Sequence, residues 1–475
     1  MKSRRSSLNI VKQLRSRASQ ARPRFYKEDY ASDLVPNCNG TTVSEYDANV
    51  YTAQYSAGTN LGFNFRLNIF DTTVPSVPRE PGVRQRESTP NLKTTMKVIN
   101  SIQARPGNWT ISDANLSPDN ERWASTAYMT STTDPAPTQI PIPCRFSADG
   151  NEIIAGGNGQ LFVYDLLANR RTVKIEAHKD DVNSCCWADT SSGNVLVSGS
   201  DDSYLKVWDR RSLGVSQKPS GVLMGHTEGI TYVSAKGDGR YVISNGKDQK
   251  LRLWDLRKMR SNQDLEAVQD KDYGTNYDYR YPHYPRPRFR AHPRDCSVMT
   301  FHGHAVLLTL IRCHFSPAET TGGQYIYSGS ADGKVHIWSL DGRVVQVLDR
   351  AKTLPMTFDP SAPEPGSTYG LESNVCVRDV SWHSQEPVLM SAGWESGRRG
   401  WESGRDPWES GRGGSRLARH EWKGLSKMGG SLEDWVEKDA QEGTRRSARM
   451  QHLSARGRRG TVPGAFGSDD SDDSD

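Results

Sequence analysis

The chain has 475 residues, a formal net charge of +5 and a mean hydropathy of −0.72, with 35% of residues hydrophobic. That length suits one large repeat domain with tails, and the low apolar content predicts that part of the chain stays disordered. No apolar run approaches the roughly eighteen residues a membrane helix needs. The seven cysteines form no C-x-x-C pair, which points to reduced thiols without a metal site.

Residues 1–45 read as a basic leader. Lys2, Arg4, Arg5, Lys12, Arg15, Arg17, Arg22, Arg24 and Lys27 all precede the first acidic residue, Glu28. No apolar core follows them, so the leader is not a secretory signal. Leu8, Val11 and Leu14 recur at helical spacing behind Ser6 and Ser7, predicting a short amphipathic helix over Ser7–Arg17. From 46 to 425 the pattern changes to short alternating segments broken by Gly, Asp and Ser, which predicts an all-β domain. Seven strand units can be counted. The first two, Asn49–Asp71 and Lys97–Pro135, look incomplete: Tyr55–Phe70 leaves little room for two strands, and Trp123–Thr126 replaces an apolar strand. The third, Cys144–Leu167, has Tyr164 where later units carry tryptophan, and the seventh spans Asn374–Trp422. Residues 426–475 predict a charged helix over Leu432–Met450 and a disordered acidic tail, Ser468–Asp475, whose serines suit phosphorylation.

The fourth, fifth and sixth units run from His178 to Trp208, from His226 to Trp254 and from His304 to Trp338. Ser198, Ser244 and Ser328 each stand ten residues before the tryptophan, and Asp202, Asp248 and Asp332 stand six before it. Fixed spacing of this kind lets indole, hydroxyl, imidazole and carboxylate join in one buried hydrogen-bonded chain, which rigidifies each unit. Such Ser/His/Asp sets invite a catalytic reading. They recur once per unit without a nucleophile elbow, so they are read as structural tetrads. This is the pattern of a WD40 β-propeller, here expected to have seven blades, with blades one and two incomplete. Two further segments stand out: a tyrosine-rich insertion, Arg257–Thr300, with Tyr273, Tyr277, Tyr279, Tyr281 and Tyr284, and three copies of Trp-Glu-Ser-Gly-Arg from Trp394, Trp401 and Trp408. The first suits partner binding or a plain connection, and the second reads as local duplication.

Two units end alike, in Trp208-Asp209-Arg210-Arg211 and Trp254-Asp255-Leu256-Arg257. Neighbouring blades would place Arg211 and Arg257 on one rim, and a guanidinium is a rigid fork for carboxylates and carbonyls. Around these motifs the chain resembles the WD repeat-containing protein 23 family of cullin-4-associated factors. The likeness rests on Ala177–Asn183, Ser198–Arg211, Gly225–Thr231, Ser234–Arg257, His304–Pro317 and Val377–His383. It covers 144–395 well and 36–135 loosely. The resemblance implies a substrate receptor that docks on the triple-propeller adaptor of cullin-4 ubiquitin ligases, the large subunit of the damage-specific DNA-binding protein. Trp208, Asp209, Arg211, Trp254, Asp255 and Arg257 are the residues it assigns to adaptor binding. It implies no cofactor, no catalysis by the chain itself, and a nuclear and cytoplasmic location.

The alternative is a non-catalytic WD40 scaffold in a chromatin or RNA-processing complex, with the basic leader against an acidic partner. A net charge of +5 is too modest to call for nucleic acid, and no membrane partner is expected. An enzyme is not expected, since phosphate loop, metal cluster and isolated triad are all missing from the sequence.

Overall fold

The computed structural model describes residues 33–424 except 57–58, 64–65, 73–91, 104–110, 119–121, 128–142, 190–191, 215–216, 269–270, 272, 276, 290, 359–373 and 397–413. The two predicted helices, the acidic tail and the later two Trp-Glu-Ser-Gly-Arg copies lie outside the described residues.

Nearly every described element is a strand. After β1 (Thr41–Tyr46), blade one comprises β2 (Thr52–Ser56), β3 (Thr59–Phe63), β4 (Arg66–Asp71) and, beyond β5 (Leu92–Thr94), β6 (Lys97–Gln103). Blade two is β7 (Ile111–Leu116) and β8 (Trp123–Ala127). Blade three holds β9 (Cys144–Phe146), β10 (Glu152–Gly157), β11 (Gln160–Asp165) and β12 (Arg170–Glu176). Blade four holds β13 (Val182–Trp187), β14 (Val195–Ser200), β15 (Leu205–Asp209) and β16 (Gly221–Leu223). Blade five holds β17 (Ile230–Ala235), β18 (Tyr241–Gly246), β19 (Lys250–Asp255) and β20 (Met299–Phe301). Blade six holds β21 (Cys313–Phe315), β22 (Tyr325–Ser328), β23 (Lys334–Ser339) and β24 (Val344–Asp349). Blade seven is built on β25 (Asn374–Trp382), β26 (Val388–Ser396) and β27 (Gly414–Glu421).

The innermost strands β2, β7, β9, β13, β17, β21 and β25 neighbour one another in that order, and β25 returns to β2. The ring is therefore closed, and closure leaves no long open sheet edge between the first and last blades. The N-terminal strand performs it. β1 pairs antiparallel with β27, Thr41 opposite Arg419, and β5 adds on its far side to make a five-stranded sheet.

Inner strands are sandwiched between neighbouring blades and so are buried on both faces, as in β13, Val-Asn-Ser-Cys-Cys-Trp. The outer strand β12, Arg-Arg-Thr-Val-Lys-Ile-Glu, is mostly exposed. The core lies between blades. Val197, Leu205 and Val207 of blade four meet Ile230, Val233 and Val242 of blade five, and Ile243, Leu251 and Leu253 meet Ile326 and Trp338 of blade six.

Three expectations are corrected here. Blade one is complete in strand number, because strands of five and six residues separated by two-residue breaks fit the short segment. Lys97–Gln103, expected in blade two, is its outer strand, paired with β4. Residues 41–45, placed in the leader, belong to the closing strand. Blade two does show only two strands among the described residues, and Trp123–Ala127 is the second of them, with Leu116 opposite Trp123.

Candidate docking face

The tetrads set the frame. In blade four the Trp208 indole N–H donates to Ser198 Oγ at 3.0 Å. Ser198 Oγ lies 2.7 Å from His178 Nε2, and His178 Nδ1 lies 2.8 Å from Asp202. Blade five repeats this with Trp254, Ser244, His226 and Asp248 at 2.8, 2.7 and 2.9 Å. The carboxylate selects the imidazole protonated on Nδ1, so every member has a partner. Burial pushes both imidazoles down in pKa even with the carboxylate beside them. A side chain on Gly246 would stand 2.3 Å from His226 Nδ1, so a glycine follows Asn245 at this point.

Blade six departs from the expectation. His304 Nε2 lies 3.0 Å from Asn245 Oδ1 of blade five, and the Asn245 amide donates to Ser328 Oγ at 2.9 Å. Among the described residues the buried Trp338 indole N–H and His304 Nδ1 have no hydrogen-bond partner, and Asp332 pairs with Lys334 at 3.4 Å. The cause is spacing at the other end of the unit. His304 stands eleven residues before Phe315, whereas His178 and His226 stand nine before Trp187 and Ala235, the residues in the same register. The longer lead draws His304 away from Ser328, and Asn245 fills the gap as a link between blades.

Each Trp-Asp-x-Arg run makes a corner. Asp209 ends β15 and caps a one-turn helix, Arg210–Ser212. Its Oδ1 accepts from the Arg211 backbone N–H at 3.0 Å and from Nε at 2.9 Å, and Oδ2 accepts from Nη2 at 2.7 Å. Asp255 does the same for Leu256–Lys258, accepting from the Arg257 N–H at 3.1 Å, Nε at 3.1 Å and Nη2 at 2.9 Å. The cap fixes the backbone and the fork fixes the side chain, which is why arginine sits two residues after the aspartate. Hydrogen bonds from Arg211 hold the Asp209 carboxyl below its usual range, and those from Arg257 and Arg240 do so for Asp255. Both arginine side chains remain about two-thirds exposed, at 69% and 66%.

In each blade the first and third strands run parallel, so their C-terminal ends share a face. The corners therefore lie on the face where β13 ends at Trp187, and the Arg210 guanidinium stands 5.7 Å from the Trp187 ring. On that face the axis opens into a cavity of about 430 Å³ lined by Tyr55, Trp187, Tyr232, His314, Tyr327 and Arg145. Its floor is a charge network across the axis. Arg312 of blade six donates to Asp113 of blade two at 2.8 Å and to Asp379 of blade seven at 3.3 Å. Arg145 of blade three donates to Asp113 at 2.7 Å and to the Tyr232 hydroxyl.

The tyrosine-rich insertion folds over the opposite face. It includes the short helix α1 (Asn262–Glu266). Tyr277 donates to the Lys247 carbonyl at 2.6 Å and packs edge-on against Tyr284, and Lys247 lies 4.2 Å from the Tyr279 ring. A cleft of about 310 Å³ beside it is lined by Asp201, Tyr204, Glu228 and Tyr273.

Sequence reasoning missed the axial charges, Asn245 and Arg240. The axial set had a visible signal, since Arg312 and Arg378-Asp379 interrupt otherwise apolar inner-strand segments.

The repeats, the two closed tetrads and the ring define a WD40-repeat β-propeller, and the WD domain, G-beta repeat profile matches residues 169–209, 217–255 and 295–339. The LEC14B protein of Lithospermum erythrorhizon is 40% identical over 337 residues, which is 64% of this chain and 66% of that protein. The DDB1- and CUL4-associated factor 11 homologue of Caenorhabditis elegans is 35% identical over 266 residues, 55% of this chain and 43% of that protein. The chain is a WD40-repeat protein similar to the plant LEC14B protein and to the nematode factor. It spans just under two thirds of its plant relative and less than half of its nematode one.

Proposed function

We propose that the chain is a substrate-recognition subunit of a cullin-4 ubiquitin ligase, docking on the DDB1 adaptor through the face that carries Arg211 and Arg257. One observation carries the reading: two exposed arginines, each clamped by its own aspartate in the same geometry, stand at equivalent corners of neighbouring blades. The name of the nematode relatives, DDB1- and CUL4-associated factor 11 homologue, supports it. With that face engaged, the opposite face, with its cleft and the Tyr273–Tyr284 segment, remains for the target protein. The chain then acts as a non-catalytic receptor, while the ligase supplies the ubiquitin chemistry.

Reversing both charges tests this directly. Arg211→Glu/Arg257→Glu removes the forks from exposed positions, so the fold stays intact and capture of DDB1 by the tagged chain is lost. Capture equal to wild type would remove the docking assignment. A folded wild-type chain that captures no adaptor would favour a scaffold role.

A further inference from the structure

The two corners are not equal. At blade four, Asp209 faces one guanidinium, that of Arg211, while Arg210 turns away to Glu152 of blade three at 2.6 and 2.7 Å. At blade five, Asp255 is held by two. Arg240, just ahead of β18, donates to Asp255 Oδ2 from Nε at 3.1 Å and from Nη2 at 3.0 Å, beside the Nη2 of Arg257 at 2.9 Å. One carboxylate thus stands between two arginine side chains, a set of three with a net positive charge, while the Asp238 carboxylate accepts from the backbone N–H groups of Arg240 and Tyr241 at 2.9 Å. The Asp255 side chain is only 5% exposed, while those of Arg240 and Arg257 are 41% and 66% exposed, so the cations face outward and the anion lies beneath them. Neither arginine's Nη1 has a hydrogen-bond partner among the described residues. Arg240 also packs over Tyr241, its guanidinium carbon 4.5 Å from the ring centre. Strand pairing shows why blade four lacks this arrangement. Tyr241 lies opposite Asp255, and Val195 lies opposite Asp209, so the place of Arg240 falls to Asn194.

We propose that Arg240 and Arg257 together form a carboxylate-binding site, the main electrostatic anchor of the docking face, which takes an Asp or Glu side chain of the partner. Arg240 lies outside the Trp-Asp-x-Arg run. The proposal rests on the docking reading above and adds to it an unequal division of labour between the blades. A planar fork already desolvated on one edge and oriented by Asp255 loses little freedom when it meets a second carboxylate. Arg211, neutralised by its own aspartate, offers less attraction.

The experiment measures binding of the full chain to purified DDB1 for wild type, Arg240→Ala, Arg240→Lys, Arg211→Ala and Arg257→Ala, at two salt concentrations, with a thermal melt of each. Arg240→Ala and Arg257→Ala are each expected to weaken binding about tenfold and to flatten its salt dependence, and Arg211→Ala less. Arg240→Lys keeps the charge, so it should retain the salt dependence while losing part of the affinity. Binding unchanged in Arg240→Ala, with Arg257→Ala still weakened, overturns the proposal and leaves the docking reading standing. A folded wild-type chain without affinity overturns both.

Discussion

Asp202 and Asp332 each lie six residues before a blade tryptophan, but their surroundings differ. Asp202 is nearly buried and closes a chain of three hydrogen bonds through His178 and Ser198 to Trp208. Burial works to raise its pKa, and the imidazole, its hydrogen bond and Lys206 outweigh this, so the carboxyl stays ionised. Asp332 is 35% exposed and pairs with Lys334. Removing a buried acceptor strands the groups that donated to it, at about 1–3 kcal/mol. Asp202→Ala is therefore expected to lower stability by about 2 kcal/mol, and Asp332→Ala by well under half of that. Chemical denaturation of the two variants beside wild type decides it. Equal losses would mean that blade six has a closed tetrad in solution.

At the scale of the blade, legibility followed local spacing. Blades four and five could be read because histidine, serine, aspartate and tryptophan lie within about thirty residues of one another, and the strands between them set their distances. Blade six carries the same letters, yet two extra residues between His304 and β21 broke the geometry, a change visible only when Phe315 is placed in register with Trp187. Blade one was hidden because its strands are short and lack the tetrad residues. β1 was hidden because its partner, β27, lies over 370 residues away, and no local pattern records such a pairing. The W-D-x-R arginines were legible as motifs, whereas Arg240 became visible only through the strand pairing that sets it beside Asp255. Blade architecture also sets the response to acid. Burial pushes His304 in blade six and His420 in blade seven down to about 3. The unfolded chain binds protons there near pH 6.5 while the folded chain does not. Stability is thus full above that value and falls as pH drops toward the folded values. Each histidine accounts for about 2 kcal/mol between pH 6.5 and pH 5. Denaturation midpoints at pH 7 and pH 5 should show a large drop, reduced in His304→Asn. The same drop in that variant would place the acid sensitivity elsewhere.

The whole ring is joined at two radii. At the periphery β1 completes the last blade with backbone hydrogen bonds, and at the axis charged side chains tie distant blades together. Arg312 is buried and spans blades six, two, seven and one, donating to Asp113, Asp379 and the Thr52 hydroxyl, the last at 2.8 Å. Asp379 also accepts from Thr52 at 2.7 Å and from the Ala53 N–H at 3.1 Å. Burial alone would raise the pKa of both carboxyls. Arg145 and then Arg312 hold that of Asp113 down, and Arg312 and His314 do so for Asp379. Such a network has a modest net worth while intact, because desolvating the charges offsets most of their attraction, but breaking it strands buried anions. Arg312→Leu is accordingly expected to cost about 3–5 kcal/mol, more than any tetrad substitution, since both aspartates lose a partner at once. The loss should appear as a lower denaturation midpoint. Blade two, with two described strands, leans on Asp113 for its link across the axis, so protease cleavage should rise first between Ile111 and Ala127. A loss below about 1 kcal/mol, the level of an exposed pair, would show that the network is hydrated and that the strands alone keep the ring closed.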